Sequence, residues 1–198
     1  MALPNFETSP KAPPRAPVPG TKGWTYEEYC ALPEDGRRYE IVKGVLYLAP
    51  SPVPAHQRGA FELGRILADH IDLHDLGEIF LAPLDVVFAR DSVVQPDVLF
   101  IRKERADIVQ RTNVTGSPDL VVEVLSPGTS AYDRRKKRDL YAAYGVPHLW
   151  FLNPQARWLE AYPLGEGGYT LTARHTGSEE FRPSLFPGLV VPLARLWR

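Results

Sequence analysis

Two stretches of the chain have the sequence features of an α-helix: apolar side chains that recur every three to four residues, or residues typical of helix ends. In residues 56–72, the apolar side chains that would share one helix face are Ala60, Leu63, Leu67 and Ile71. Residues 128–145 begin near Ser130, a candidate N-cap, and end at Gly145, the residue type that commonly follows a helix. The pattern therefore predicts two long helices.

Short apolar runs between turn residues predict a β-sheet. The first two runs flank Lys43-Gly44, which predicts a hairpin with glycine in its turn. Before it, Thr25 and Glu28 have the spacing of a capping box and predict a short helix. The later runs are residues 78–83, 85–89, 95–102, 118–127, 146–153, 158–164 and 169–175. The strand, helix and strand over residues 119–152 form a βαβ unit, so we expect its two strands to be parallel and buried.

Together these elements predict one α/β (α+β) domain with a mixed sheet flanked by helices. The chain has 198 residues, the size of a single domain, which we assign to residues 24–198. Residues 1–23 are proline-rich and predict a flexible tail. A net charge of −1 means that nucleic-acid binding would have to use a local patch. One cysteine, no signal peptide and no apolar run long enough for a membrane span predict a cytoplasmic protein.

One charged residue interrupts the most apolar strand. Glu123 lies among Leu120, Val121, Val122, Val124 and Leu125. A buried carboxylate costs several kcal/mol unless it is protonated, paired or bound to a metal. Asp97 begins an earlier strand, and if the two strands are neighbours, Asp97 and Glu123 form a pair that a divalent cation would stabilise.

The helix that follows this strand carries a matching cation. Asp133, Lys137, Tyr141 and Tyr144 fall on one stripe of that helix. In a βαβ unit this stripe faces the sheet, so Lys137 is expected to point toward Glu123. The other basic residues of the run "RRKKR", including Arg134, are expected to point elsewhere.

The motif "QPD" is followed, after 25 residues, by "EVL", and this pattern resembles the PD-(D/E)XK nuclease signature. More narrowly, "YEIVKG", "SPVPAH", "QPDVLFI" and residues 117–153 resemble the bacterial Uma family of restriction-endonuclease-like proteins. The resemblance implies a restriction-endonuclease-like fold with an extra N-terminal hairpin. It also implies that Asp97, Glu123 and the carbonyl of Val124 bind Mg²⁺ or Mn²⁺.

The sequence departs from the general signature at Leu125, where the motif lysine is expected. The resemblance implies that the lysine has moved to the next helix, at Lys137. It further implies roles for Glu40, in the first hairpin, and for His56, after the "SP" loop. The expected activity is metal-dependent DNA cleavage, in which the ion polarises the phosphate and Lys137 orients water or stabilises charge. Because a cutter of both strands needs two sites, we expect a homodimer or a higher homo-oligomer.

The same residues have structural interpretations. Asp97 could cap a turn, Glu123 could form a structural ion pair, and Lys137 could pair with Asp133 along the helix. The run "RRKKR" fits a solvated helix face as well as a phosphate-binding patch, and His56 and Tyr141 fit packing roles. Two other functions stay open: a non-catalytic nuclease-fold module that binds a nucleic-acid or protein partner, and a small-molecule phosphodiesterase.

Overall fold

The computed structural model describes residues 17–33, 35–49, 51–126 and 131–198, with side chains in the last range from Arg134 onward. The described residues form three α-helices: α1 (Tyr26–Tyr29), α2 (Pro54–Leu73) and α3 (Ala131–Ala143). Their fourteen strands are β1 (Arg38–Val42), β2 (Val45–Ala49), β3 (Gly77–Leu81), β4 (Val86–Ala89), β5 (Ser92–Val94), β6 (Val98–Arg102), β7 (Val114–Thr115), β8 (Leu120–Val124), β9 (His148–Asn153), β10 (Trp158–Gly165), β11 (Gly168–Tyr169), β12 (Ala173–Thr176), β13 (Glu180–Phe181) and β14 (Val191–Pro192). Two 3₁₀ helices cover Lys103–Ile108 and Leu193–Arg195.

Residue contacts divide the chain into two compact units. Among the described residues, the smaller unit comprises residues 17–33, 35–49 and 89–94, and the larger unit comprises residues 51–88, 95–126 and 131–198. The division concerns contacts alone, and one nuclease domain over residues 24–198 stays a prediction. No helix among the described residues is both long and apolar enough to cross a bilayer.

The smaller unit is built on the predicted hairpin. Strands β1 and β2 pair antiparallel, and Lys43 and Gly44 turn the chain with positive φ angles of 49° and 74°. Two consecutive positive φ values give the tight turn that matches the twist of a hairpin. Helix α1 starts with the predicted capping box of Thr25 and Glu28. Strand β5, which was not among the predicted runs, pairs with β1 through Ile41 and Val93.

The chain before Trp24 also belongs to this unit's hydrogen-bonded structure. The Gly20 amide donates to the Leu46 carbonyl at 2.8 Å, and the Leu46 amide donates to the Thr21 carbonyl at 3.1 Å. Residues 17–23 of the predicted tail therefore include segments that bond to β2. The tail prediction for residues 1–16 lies outside the described residues.

The larger unit contains a mixed sheet in the order β11-β10-β9-β8-β6-β3, with β12 paired to β10. Strands β8 and β9, the two strands of the predicted βαβ unit, are parallel. Strands β6 and β8 are antiparallel neighbours, which was the condition for bringing Asp97 and Glu123 together. The expected mixed sheet is confirmed.

Alternation along the strands gives this sheet two different faces. One face carries Val122 and Trp150 and packs on Leu63 and Leu67 of α2 in the main hydrophobic core. The other face carries Glu123 and the residues beside it, and α3 contacts this face. Helix α3 ends at Ala143, and Gly145 follows with a φ of 71°, as predicted for a residue after a helix end. The candidate N-cap Ser130 lies outside the described residues.

Candidate active site

The two predicted metal-binding carboxylates lie on adjacent strands. Val98 of β6 pairs with Val122 of β8, so continuing the antiparallel register places Asp97 opposite Glu123. The Asp97 side chain is buried, and its Oδ2 accepts a hydrogen bond of 2.8 Å from the Val124 amide. This bond ties the Asp97 carboxylate to the peptide that joins Glu123 to Val124.

His56 lies against the same oxygen of Asp97. It sits in the first turn of α2, is buried, and places Nε2 3.2 Å from Oδ2 of Asp97. Nδ1 of His56 is buried and has no hydrogen-bond partner among the described residues. A ring nitrogen of this kind is an acceptor when the proton is on Nε2. The structure therefore brings His56 and Asp97 together and leaves one imidazole nitrogen with unused bonding capacity within the described part of the chain.

Glu123 is held by two residues of α3. Oε1 of Glu123 lies 3.1 Å from Nζ of Lys137 and also accepts a short hydrogen bond from the Tyr141 hydroxyl. The side chains of Glu123 and Lys137 are only 12% and 20% exposed, and Tyr141 is fully buried. The predicted orientation of Lys137 toward Glu123 is thus observed, across 14 positions of sequence.

A row of paired residues continues from Glu123 across the sheet. Glu123 pairs with Phe151, Phe151 with Glu160, and Glu160 with Arg174. Directly opposed residues share a face of the sheet, so Glu123 and Glu160 lie on the same face and are separated by one aromatic ring. Glu160 is more deeply buried than Glu123, with 3% of its surface exposed.

Arg134 of α3 binds this second carboxylate, and our expectation that it points away from the sheet was wrong. Its guanidinium donates to Glu160 and, at 2.7 Å, to the Tyr162 hydroxyl. It also lies 4.7 Å from the centre of the Phe151 ring. Burial raises the pKa of Tyr162, and its hydrogen bond to Glu160 raises that pKa further. The missed signal was the same as for Glu123: a carboxylate within an apolar strand, here "WLEAYPL".

Comparison with known proteins assigns this arrangement to a family. Residues 26–194 match the model of the Uma2 family, described as "Putative restriction endonuclease". The chain belongs to the Uma2 family. A solved structure from Anabaena variabilis, described as "a putative nuclease belonging to DUF820", aligns with a TM-score of 0.72 and 19% identity. The alignment covers 88% of this chain and 98% of that one, whereas no curated protein sequence matches. The predicted Uma family resemblance and the restriction-endonuclease-like fold are confirmed.

For two further predicted site residues of this Uma2 chain, Glu40 and Asp133, the assigned roles stay predictions. Glu40 lies on β1 of the smaller unit, is buried, and pairs with Tyr47 across the hairpin. Its participation with Asp97 and Glu123 stays a prediction. Asp133 lies in the first turn of α3, and its side chain is outside the described residues, so its pairing with Lys137 stays a prediction too.

The oxygen donors predicted for this site suit a hard divalent cation. Two carboxylates and a backbone carbonyl, from Asp97, Glu123 and Val124, are the oxygen ligands that Mg²⁺ accepts, and Mg²⁺ sites commonly use only one or two carboxylates plus water. No set of three or more His, Cys, Asp or Glu side chains in the described ranges is placed to hold a metal. The fit is therefore to a hydrated ion with few protein ligands, as opposed to an all-protein cage.

A cavity of about 240 Å³ opens on the other face of the sheet, near Trp150, Ala161 and Phe181. None of the predicted site residues whose side chains the structure describes lines it. Glu123 points to the opposite face, because side chains alternate along β8 and β9. The contact between Glu123 and Lys137 thus lies away from this cavity.

Proposed function

We propose that this Uma2 chain is a divalent-metal-dependent endonuclease that hydrolyses phosphodiester bonds in DNA. The observation that carries the proposal is the 3.1 Å contact between Lys137 on α3 and Glu123 on β8. It supports the interpretation that a lysine displaced from position 125 takes the place of the motif lysine. The names of the family and of the solved relative point to the same class of chemistry.

Each proposed catalytic residue has a distinct task. Asp97, Glu123 and the Val124 carbonyl would hold Mg²⁺ or Mn²⁺, which supplies Lewis-acid activation of the phosphate and of water when bound. The hydrogen bond from Val124 keeps the Asp97 carboxylate beside the strand that carries Glu123. The Lys137 ammonium would orient the attacking water or stabilise the charge that develops on the phosphate. Glu40 remains a proposed further acidic group.

The test is cleavage of supercoiled plasmid DNA with Mg²⁺ or Mn²⁺. We expect nicking or linearisation by the parent protein and a loss of at least about 100-fold in Glu123→Gln and Lys137→Met, the scale of losing one charge-stabilising group. Lys103→Met is the matched control, because Lys103 forms an exposed ion pair with Asp75. A Glu123→Gln protein that cleaves as fast as the parent would rule out the assigned role.

A second function is favoured by one specific feature: both carboxylates already have partners within the chain. Asp97 is bound by Val124 and His56, and Glu123 by Lys137 and Tyr141. A non-catalytic module that binds a nucleic-acid or protein partner would keep these contacts for stability alone. It predicts the same unfolding temperature with and without Mg²⁺ or Mn²⁺, whereas a metal site predicts metal-dependent stabilisation.

Cleavage of both DNA strands would need two copies of the site. We therefore propose that the active form is a homodimer or higher homo-oligomer, to be measured by sedimentation with and without DNA. A simple phosphodiester substrate in the cleavage assay separates DNA hydrolysis from small-molecule phosphodiesterase activity.

A further inference from the structure

The position of Lys137 depends on how α3 docks on the sheet. A lysine two residues after Glu123 on the same strand would be placed by the strand backbone alone. Lys137 instead reaches Glu123 from a separate helix, 14 positions later in the sequence. A small shift or rotation of α3 would therefore move its ammonium, so some contact has to fix the helix.

Helix α3 is attached to the Glu123 face of the sheet at a second charged point. Arg134 lies three residues, or nearly one helical turn, before Lys137, so the two cations extend from neighbouring positions on the helix surface. Lys137 contacts Glu123 on β8, and Arg134 contacts Glu160 on β10. The two carboxylates are two strands apart, roughly 9–10 Å. Two ion pairs at separate points restrict both sliding and rotation of the helix.

The chemistry of the second point suits a rigid attachment. Glu160 is 3% exposed and receives Arg134, the Tyr162 hydroxyl at 2.7 Å and Arg174 at 3.1 Å. The Arg134 guanidinium is also placed over the Phe151 ring, which lies between the two carboxylates. A planar guanidinium that is both hydrogen-bonded and stacked loses its orientation only if several contacts break together.

We infer that the Arg134–Glu160 ion pair is a positioning contact that holds α3 so that the Lys137 ammonium stays at Glu123. Arg134 and Glu160 are positioning residues and take no part in the chemistry themselves. The catalytic consequence rests on the nuclease function proposed above. The effect on the position of the Lys137 ammonium does not rest on that function, and it can be measured without any DNA cleavage.

The direct readout is the rate at which Lys137 is methylated by formaldehyde and borohydride, measured by peptide mass spectrometry. Lys103, which is exposed, serves as the internal reference in the same sample. We expect Arg134→Gln and Glu160→Gln to raise the relative rate at Lys137 by roughly fivefold, which lies within the range found for residues that are coupled through a shared backbone shift.

Arg174→Gln is the matched control. It removes the other arginine from the same carboxylate, but Arg174 belongs to β12 and not to α3. We expect the Lys137 rate in this variant to stay at the parent value. An equal rise in Arg174→Gln and Arg134→Gln would overturn the inference, because the effect would then come from the charge of Glu160 and not from helix docking.

A conservative variant protects the test against loss of folding. Arg134→Lys keeps the charge on α3 but loses the planar fork, so we expect a smaller rise at Lys137 than in Arg134→Gln. Parent-like labelling of Lys137 in a folded Arg134→Gln or Arg134→Lys protein would refute the positioning role. If the parent cleaves DNA, Arg134→Gln and Arg134→Lys should lower kcat for DNA cleavage and leave KM unchanged. If the parent does not cleave DNA, the proposed function fails while the labelling result still decides this inference.

Discussion

Replacing Lys137 by Met tests how strongly the ion pair with Glu123 stabilises the fold. The variant keeps a long side chain and removes the ammonium from a contact of 3.1 Å. It leaves the Glu123 carboxylate with the Tyr141 hydroxyl as its remaining donor among the contacts described above. The reciprocal variant, Glu123→Gln, removes the negative charge of Glu123 from its contact with the Lys137 ammonium.

The magnitudes follow from burial and distance. Two unit charges 3.1 Å apart attract by about 5 kcal/mol at an effective dielectric constant of about 20. Most of this attraction is offset by the cost of removing both groups from water, since the side chains are only 12% and 20% exposed. We expect Lys137→Met to lower the free energy of unfolding by about 2–3 kcal/mol and Glu123→Gln by about 1–2 kcal/mol. The lysine variant costs more because a carboxylate on a strand cannot move to solvent, whereas a flexible lysine can.

Urea denaturation of the parent, both single variants and the double variant gives a complete thermodynamic cycle. We expect the double variant to be less destabilised than the sum of the singles, with a coupling of about 1–3 kcal/mol. Additive single effects, or a larger cost for Glu123→Gln than for Lys137→Met, would refute this account of the pair. Repeating the cycle with Mg²⁺ tests for a metal site. Such a site predicts that Mg²⁺ stabilises the parent against unfolding and does not stabilise Glu123→Gln.

Three further predictions concern other parts of the chain. Gly77→Ala should destabilise the protein by about 3 kcal/mol in urea denaturation. The reason is that φ at Gly77 is 146° and an added Cβ would lie 2.1 Å from the Ile101 carbonyl oxygen. In the control variant Gly167→Ala an added Cβ meets open space, so stability should change by less than about 0.5 kcal/mol. Burial lowers the pKa of His148 below 6.5, so the unfolded state binds more protons and stability falls as the pH drops through 6.5. We therefore expect His148→Gln to flatten the dependence of Tm on pH in this range. An unchanged slope of Tm against pH would contradict the assignment. Arg135 has an 80% exposed side chain on α3. If α3 contacts DNA phosphate, Arg135→Gln should reduce the slope of log Kd against log salt concentration by about 1, measured by fluorescence anisotropy. An unchanged slope would place the phosphate contacts elsewhere.

Several local features were predictable because short-range chemistry decides them. The capping box at Thr25 and Glu28 and the positive φ angles of the Lys43-Gly44 turn each depend on a few adjacent residues. The helix predicted over residues 56–72 was also right to within two residues at either end, since it depends on periodicity alone. Strand β5 was missed because its three residues are too few to show alternation, and its pairing with β1 comes from a distant part of the chain.

The candidate site was predictable where burial conflicted with charge. Glu123 in an apolar strand and Lys137 on the sheet-facing stripe of α3 both broke a pattern, and the structure brings them into contact. Glu160 broke the same kind of pattern but matched no motif, so it went unnoticed. Arg134 gave no signal at all, because it looks like any other member of "RRKKR" until the helix is docked.

The sequence by itself determined the long helices and the longer strands, which face of each is apolar, and which charged residues interrupt an apolar face. These properties depend on side-chain type and on a fixed local period of two or about 3.6 residues. The tertiary structure alone decided partners: that Asp97 binds the Val124 amide and His56, and that Arg134 binds Glu160. Such contacts depend on strand order, register and helix docking, and these arise from the packing of the whole sheet, which no local pattern specifies.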